Sequence, residues 1–255
     1  MGMIIKNAAI LDRAATHAKA TNQLSLVEAF SLKDAYEIQK HSINARIERG
    51  ENIIGYKLGF TSKAKMEQMG VHEIIWGRLT DQMQIMHNGK MDFKKFIHPR
   101  VEPEIAFRVK KDITSLIQLS EVNEYIDGVA GALEIIDSRY ENFKFSLTDV
   151  IADNCSSSGF VLGEWKDPMD SVNDINIEMS INGDISQSGT SNAILGNPYQ
   201  SIVEISRMMK KYDGSIQAGQ VILAGAATSA VYLKSDDKVN AIFGSLGEVK
   251  FSVEA

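Results

Sequence analysis

The chain of 255 residues is poor in several features that would mark out a protein class at once. It has one cysteine, Cys155, which excludes an internal disulfide framework and a cysteine-based zinc site. A lone thiol fits a reducing cytoplasm, the expected location. Four prolines form no Pro-rich tract, and the chain shows no repeat or low-complexity segment. No run approaches the roughly 18 apolar residues of a membrane span. The opening MGMIIKNAAILDRAATHAKA is interrupted by Lys6, Asp12 and Arg13, unlike a signal peptide, and Lys6 occupies the position where myristoylation wants Ser or Thr. Basic clusters are missing too. Against 33 acidic residues stand 27 Lys and Arg, a net charge of −6, so neither nucleic acid nor a membrane is an expected partner.

Familiar catalytic signatures are also absent. No G-x-G-x-x-G follows a strand, no phosphate-binding Gly-Lys-Ser/Thr loop occurs, and Ser156-Ser157-Ser158-Gly159 only superficially resembles a nucleophile elbow. The histidines (His17, His41, His72, His87 and His98) never fall at H-E-x-x-H spacing, and surface or structural roles are expected for them. His98 stands out because it precedes Pro99-Arg100 and an acidic motif.

What is present is an ordinary globular composition, 44% hydrophobic and 24% charged, in a chain long enough for one sizeable core. Met3, Ile4, Ala8, Leu11, Ala15 and Ala18 recur at helical spacing. A second helix is expected from Ser31, with Asp34 completing a capping-box-like start, an apolar stripe of Leu32, Ala35, Tyr36, Ile43 and Ile47, and Gly50 as terminator. Beyond Ile53 the texture turns to strands: IIGYKLGF, VEPEIAFRV, GALEIID, SGFVLG, INIEMSI, QVILAG and EVKFSVEA. Asn182-Gly183 predicts a tight hairpin. Two later helices are expected, one over 62–69 and one announced by Asn197-Pro198. The pattern predicts an α+β protein, with a helical N-terminal cap over 1–50 on a β-rich mixed-sheet body over 51–255, one compact unit overall.

Chemistry concentrates in three segments. In His98-Pro99-Arg100-Val101-Glu102-Pro103-Glu104, an extended backbone puts Glu102 and Glu104 on one face, where two carboxylates repel unless a cation lies between them. Glu134, inside the apolar run 129–136, offers a third oxygen ligand for a hard divalent ion such as Mg²⁺ or Mn²⁺. The alternative is a solvent-facing acidic strand, with Glu134 paired to Arg100 or Arg139. Lys57, in Gly55-Tyr56-Lys57-Leu58-Gly59, reads either as a substrate clamp or as an edge-strand lysine that discourages aggregation. Asp153-Asn154-Cys155-Ser156-Ser157-Ser158-Gly159 reads either as an anion-binding loop or as a plain polar turn.

Together, residues 55–71, 76–83, 98–107, 132–145, 152–163 and 196–209 resemble the 2-keto-4-pentenoate hydratase and 4-oxalocrotonate decarboxylase family of the fumarylacetoacetate-hydrolase-like superfamily, in the family's order along the chain. The resemblance implies that Glu102, Glu104 and Glu134 hold Mg²⁺, with Mn²⁺ the other choice, and that Lys57 faces the substrate. Ser157 and Ser158 are implied as further substrate contacts. Asp81 aligns with the first acid of the hydratase pair, and Gln82 replaces the second. That departure, with Pro103 and the run 134–145, favours decarboxylation of the keto-diacid 2-oxo-3-hexenedioate to 2-hydroxypenta-2,4-dienoate in meta-cleavage catabolism of aromatic compounds. The alternatives are hydration of that dienoate and, more remotely, a non-catalytic metal-stabilised assembly subunit. A homo-oligomer, and a complex with the downstream hydratase, are implied as well.

Overall fold

Strand alternation sets the frame. In Arg100–Val109 (β5), residues 102, 104 and 106 are acidic or small, while Val101, Ile105 and Phe107 are large and apolar. In Ile126–Ile136 (β6), Ala130, Ala132 and Glu134 share one face, and Val129, Leu133 and Ile135 the other. Period-two backbone forces each set to a separate side. The two strands pair antiparallel, with Glu102 opposite Glu134 and Glu104 opposite Ala132. The computed structural model that shows this describes residues 2–62, 73–212 and 214–255; the helix expected over 62–69 lies almost wholly outside them.

The remaining strands complete two sheets. With Ile53–Gly59 (β1), Ile75–Thr80 (β2), Gln84–Ile85 (β3), Ser157–Leu162 (β7) and Val221–Ala226 (β10), the larger sheet runs β2-β1-β10-β5-β6-β7-β3, and Val231–Tyr232 (β11) pairs with the start of β5. This sheet curls, so that β2 comes into contact with β7. Small side chains permit the roll: Ala106, Ala130 and Ala132 pack inside it with Leu79, Phe160 and Leu223. The second sheet, of five strands, runs Lys90–Asp92 (β4), Glu248–Glu254 (β13), Lys238–Phe243 (β12), Asn176–Ile181 (β8) and Asp184–Thr190 (β9). Asn182 and Gly183, at φ +57° and +92°, make the predicted two-residue turn between β8 and β9. Phe243 lies over Gly131 of β6, where a Cβ would sit 2.5 Å from its ring, so the two sheets meet at close packing.

The N-terminal helices join the same core. Gly2–Thr16 (α1) buries Ala8 and Leu11 as expected, and also Asn7 and Ala14; Ala18 lies past its end at φ +47°. Leu32–Glu48 (α2) starts with the predicted capping box of Ser31 and Asp34. Its buried face is Ala35, Tyr36, Ile38, Gln39 and Ile43, whereas Ile47 is exposed. Gln39 donates to the carbonyls of Trp76 and Ile151, and Tyr36 stacks on Trp76. A short helix, Leu147–Ala152 (α3), is capped by Ser146 with Asp149. The helix announced by Asn197-Pro198 begins slightly later, as Gln200–Lys211 (α4), after a turn in which Asn197 accepts from the Tyr199 amide.

Candidate metal centre and cleft

The roll of the large sheet brings together residues that are distant in sequence. Glu102, Glu104 and Glu134 are all buried, and one oxygen from each lies within 4.8 Å of the others. Lys57 reaches them from β1, with its Nζ 2.9 Å from Glu134 Oε2, and is itself 3% exposed. Because β1 lies between β2 and β10, the edge-strand reading of Lys57 does not hold. Nor does Glu134 pair with an arginine: Arg139 is bound to Asp153, and Arg100 lies outside the cluster among aromatic rings.

Each acid has a distinct seat. The register of β10 shifts between Leu223 and Ala226, and the freed Gly225 N–H donates to Glu104 Oε2 at 2.7 Å. Gly225 sits at φ +117°, where an added Cβ would fall 2.0 Å from Thr61 Oγ1, so only glycine fits. Glu134 Oε1 accepts from the Ser157 hydroxyl at 2.9 Å. Glu104 Oε1 is buried with no hydrogen-bond partner among the described residues. Such an orphaned carboxylate oxygen costs on the order of 1–3 kcal/mol unless something binds it.

Charge makes the same demand. Three carboxylates and one ammonium crowd together in a buried site. Burial, and then the neighbouring Glu134, push the Glu104 pKa well above the ordinary carboxylate value; burial likewise raises Glu134, against the pull of Lys57. Burial alone would depress Lys57, but Glu134, Glu104 and Glu102 outweigh it and hold its pKa above the ordinary lysine value. A divalent cation would offset the mutual repulsion of the carboxylates, and an all-oxygen donor set suits a hard ion. The residues fit the metal that the sequence implies.

The 153–158 loop is more than a polar turn. Asn154, Cys155 and Ser156 adopt positive φ in succession (50°, 53° and 58°), an uncommon path for three non-glycine residues. That path turns the Cys155 carbonyl toward Lys57 Nζ, 3.5 Å away, and delivers Ser157 to Glu134. Arg139 clamps it through the Asp153 carboxylate, the Ser157 carbonyl and the Ser158 hydroxyl. Ser158 therefore faces the clamp, not the cluster.

Asp81 is not brought to the cluster. It begins the turn after β2, four residues beyond Gly77, which is the cross-strand partner of Lys57; that is roughly 13 Å along a strand. Its carboxylate accepts from the Asn52 side chain and backbone N–H at 2.8 and 3.1 Å, bonds that lower its pKa.

A cleft of about 550 Å³ adjoins the cluster at Glu102. Phe60, Phe143 and Phe145 form apolar walls, and Arg100 and Lys144 contribute positive charge. These residues were not singled out by spacing. Arg100, weighed from sequence as a partner for Glu134, instead lies two positions before Glu102 on the same strand face and lines the cleft. His98 packs its ring 5.1 Å from Phe143 at the border of this region.

Residues 82–254 match the fumarylacetoacetate (FAA) hydrolase C-terminal family. A 4-oxalocrotonate decarboxylase from a Pseudomonas species is 47% identical over 242 residues, covering 95% of this chain and 94% of that protein. A 2-keto-4-pentenoate hydratase from Paraburkholderia xenovorans (strain LB400) is 31% identical, covering 88% and 85%. The solved structure of 4-oxalocrotonate decarboxylase from Pseudomonas putida G7, complexed with magnesium and adipate, matches with a TM-score of 0.95 at 32% identity, covering 99% of this chain and 97% of that one. Sequence, fold and the match over two thirds of its length place the chain in the fumarylacetoacetate hydrolase family.

Proposed function

We propose that the chain is a metal-dependent decarboxylase of 4-oxalocrotonate (2-oxo-3-hexenedioate), with Glu102, Glu104 and Glu134 as ligands of Mg²⁺ or Mn²⁺. The observation that carries this reading is the buried cluster of three carboxylates, beside Lys57 and open to a cleft. The names of the similar decarboxylases, and of the magnesium–adipate complex, support it.

The substrate is a vinylogous β-keto acid. Breaking the bond to the terminal carboxylate releases CO₂, and its electron pair shifts through the double bond to the keto oxygen; one proton on that oxygen gives 2-hydroxypenta-2,4-dienoate. The bound ion supplies Lewis acidity that favours charge on the keto oxygen. Lys57 Nζ, 2.9 Å from Glu134 Oε2 beside the cluster, is placed to donate a hydrogen bond toward the developing oxyanion. Ser157 fixes the Glu134 carboxylate, and the Cys155 carbonyl helps to fix the ammonium.

The reading extends to a cytoplasmic homo-oligomer that passes its dienol to a hydratase in meta-cleavage catabolism. Hydratases among the relatives, acting on compounds of that class by their names, support it. The double variant Glu102→Gln with Glu104→Gln tests the core of the proposal. It should fold, lose Mg²⁺ binding in calorimetry and lose turnover; full activity in that variant would remove the metal site.

A further inference from the structure

Arg100 has an unusual setting. It shares its strand face with Glu102, two residues and roughly 7 Å along β5, and lines the same cleft. Its guanidinium lies 4.0 Å from the Phe143 ring centroid and 4.1 Å from that of Tyr232, its cross-strand partner. Among the described residues its side-chain hydrogen bond is to the Tyr232 hydroxyl, and no carboxylate pairs with it. Arg100 Nε is buried without a partner among those residues. One of the rings that hold it comes at a conformational cost, since Asn142 and Phe143 sit at φ +58° and +57°. Lys144, exposed on the same loop, adds a second positive charge to the cleft.

We infer that Arg100, held against the rings of Phe143 and Tyr232, recognises the far carboxylate of a dicarboxylate ligand whose near end occupies the Glu102–Glu104–Glu134 cluster. The inference rests on the keto-diacid reading above and names the residue that meets the second carboxylate. A planar guanidinium matches a carboxylate bidentately, and the two rings restrict its orientation before the ligand arrives. In decarboxylation that far carboxylate is the one that departs, so its charge leaves the site in the transition state. An interaction with it stabilises the ground state at least as much as the transition state. Arg100 therefore sets affinity and specificity, and contributes little to the rate of the bond-breaking step.

The test is calorimetric titration of adipate and of pyruvate into the Mg²⁺-loaded protein, for the native chain, Arg100→Gln and Arg100→Lys. Pyruvate has a keto-acid end but no second carboxylate. Arg100→Gln should weaken adipate by about ten- to a hundredfold and leave pyruvate within about twofold, the scale of one charge-assisted hydrogen bond. Arg100→Lys should fall between, and carries the same comparison if the Gln variant does not fold. In turnover, KM for the keto-diacid should rise while kcat holds. Unchanged adipate binding, or equal weakening of adipate and pyruvate, overturns the assignment, because a packing role moves both ligands together. If adipate depends on Arg100 but the native protein leaves the keto-diacid intact, the assignment stands and the decarboxylase reading fails.

Discussion

Lys57 carries two separable duties, and a substitution tells them apart. Its ammonium offsets one of three buried carboxylates, and it is the donor beside the cluster. Lys57→Met should lower kcat by about a hundredfold or more, the cost of losing one preorganised donor. The same change deepens the negative charge of the site, so Mg²⁺ should bind at least as tightly by calorimetry. Loss of Mg²⁺ affinity together with activity would make Lys57 a structural prop. Cys155 offers a second check at this scale. Its side chain is buried, and burial pushes its thiol pKa up to about 12. The folded protein should resist thiol reagents near neutral pH and react only on unfolding; rapid labelling without unfolding would contradict the placement of the 153–158 loop.

At the scale of elements, local signals were readable where one segment decides its own structure. Ser31 and Asp34 announced the start of α2, and Asn182-Gly183 the β8–β9 turn. The N-cap predicts its own energy: Ser31→Ala should cost about 1 kcal/mol in a urea titration, with kcat unchanged because α2 lies outside the cluster. The same Ser-x-x-Asp signature at Ser146 and Asp149 marks α3, although no apolar run long enough to draw attention follows it. Alternation in β5 correctly put Glu102 and Glu104 on one face. What no strand could reveal alone was the roll that carries Lys57 from β1 across to Glu134 on β6. That depends on Ala106, Ala130 and Ala132 being small together. The seat of Asp81 was hidden for a related reason, since its partner Asn52 is local in space but 29 residues away in sequence. The cleft cations were missed because Arg100 and Lys144 acquire meaning only once 143–145 folds back over β5.

For the whole molecule, the buried acids couple metal, proton and stability. Without a cation, the raised pKa of Glu104 means that the folded protein binds more protons than the unfolded chain above the ordinary carboxylate value of 4.5. That contribution is fully present below this value and is lost as pH rises through the raised pKa. In EDTA, Tm should therefore decline as pH rises above the ordinary carboxylate value, relative to a Glu104→Gln variant. Saturating Mg²⁺ should reverse the decline, contributing about 2.7 kcal/mol at a hundredfold excess over Kd, and should bind more tightly as pH rises. A pH-independent response to the metal would place the ion away from Glu104.

As a decarboxylase, this chain removes CO₂ from a keto-diacid, and on the function proposed above it does so with a divalent cation held by Glu102, Glu104 and Glu134. The most direct measurement incubates the protein with 2-oxo-3-hexenedioate and Mg²⁺ and follows CO₂ and 2-hydroxypenta-2,4-dienoate together. One CO₂ should appear per dienol, with both abolished by EDTA and restored by Mg²⁺. If the protein leaves the diacid untouched but consumes the dienol with water, it is a hydratase and not a decarboxylase.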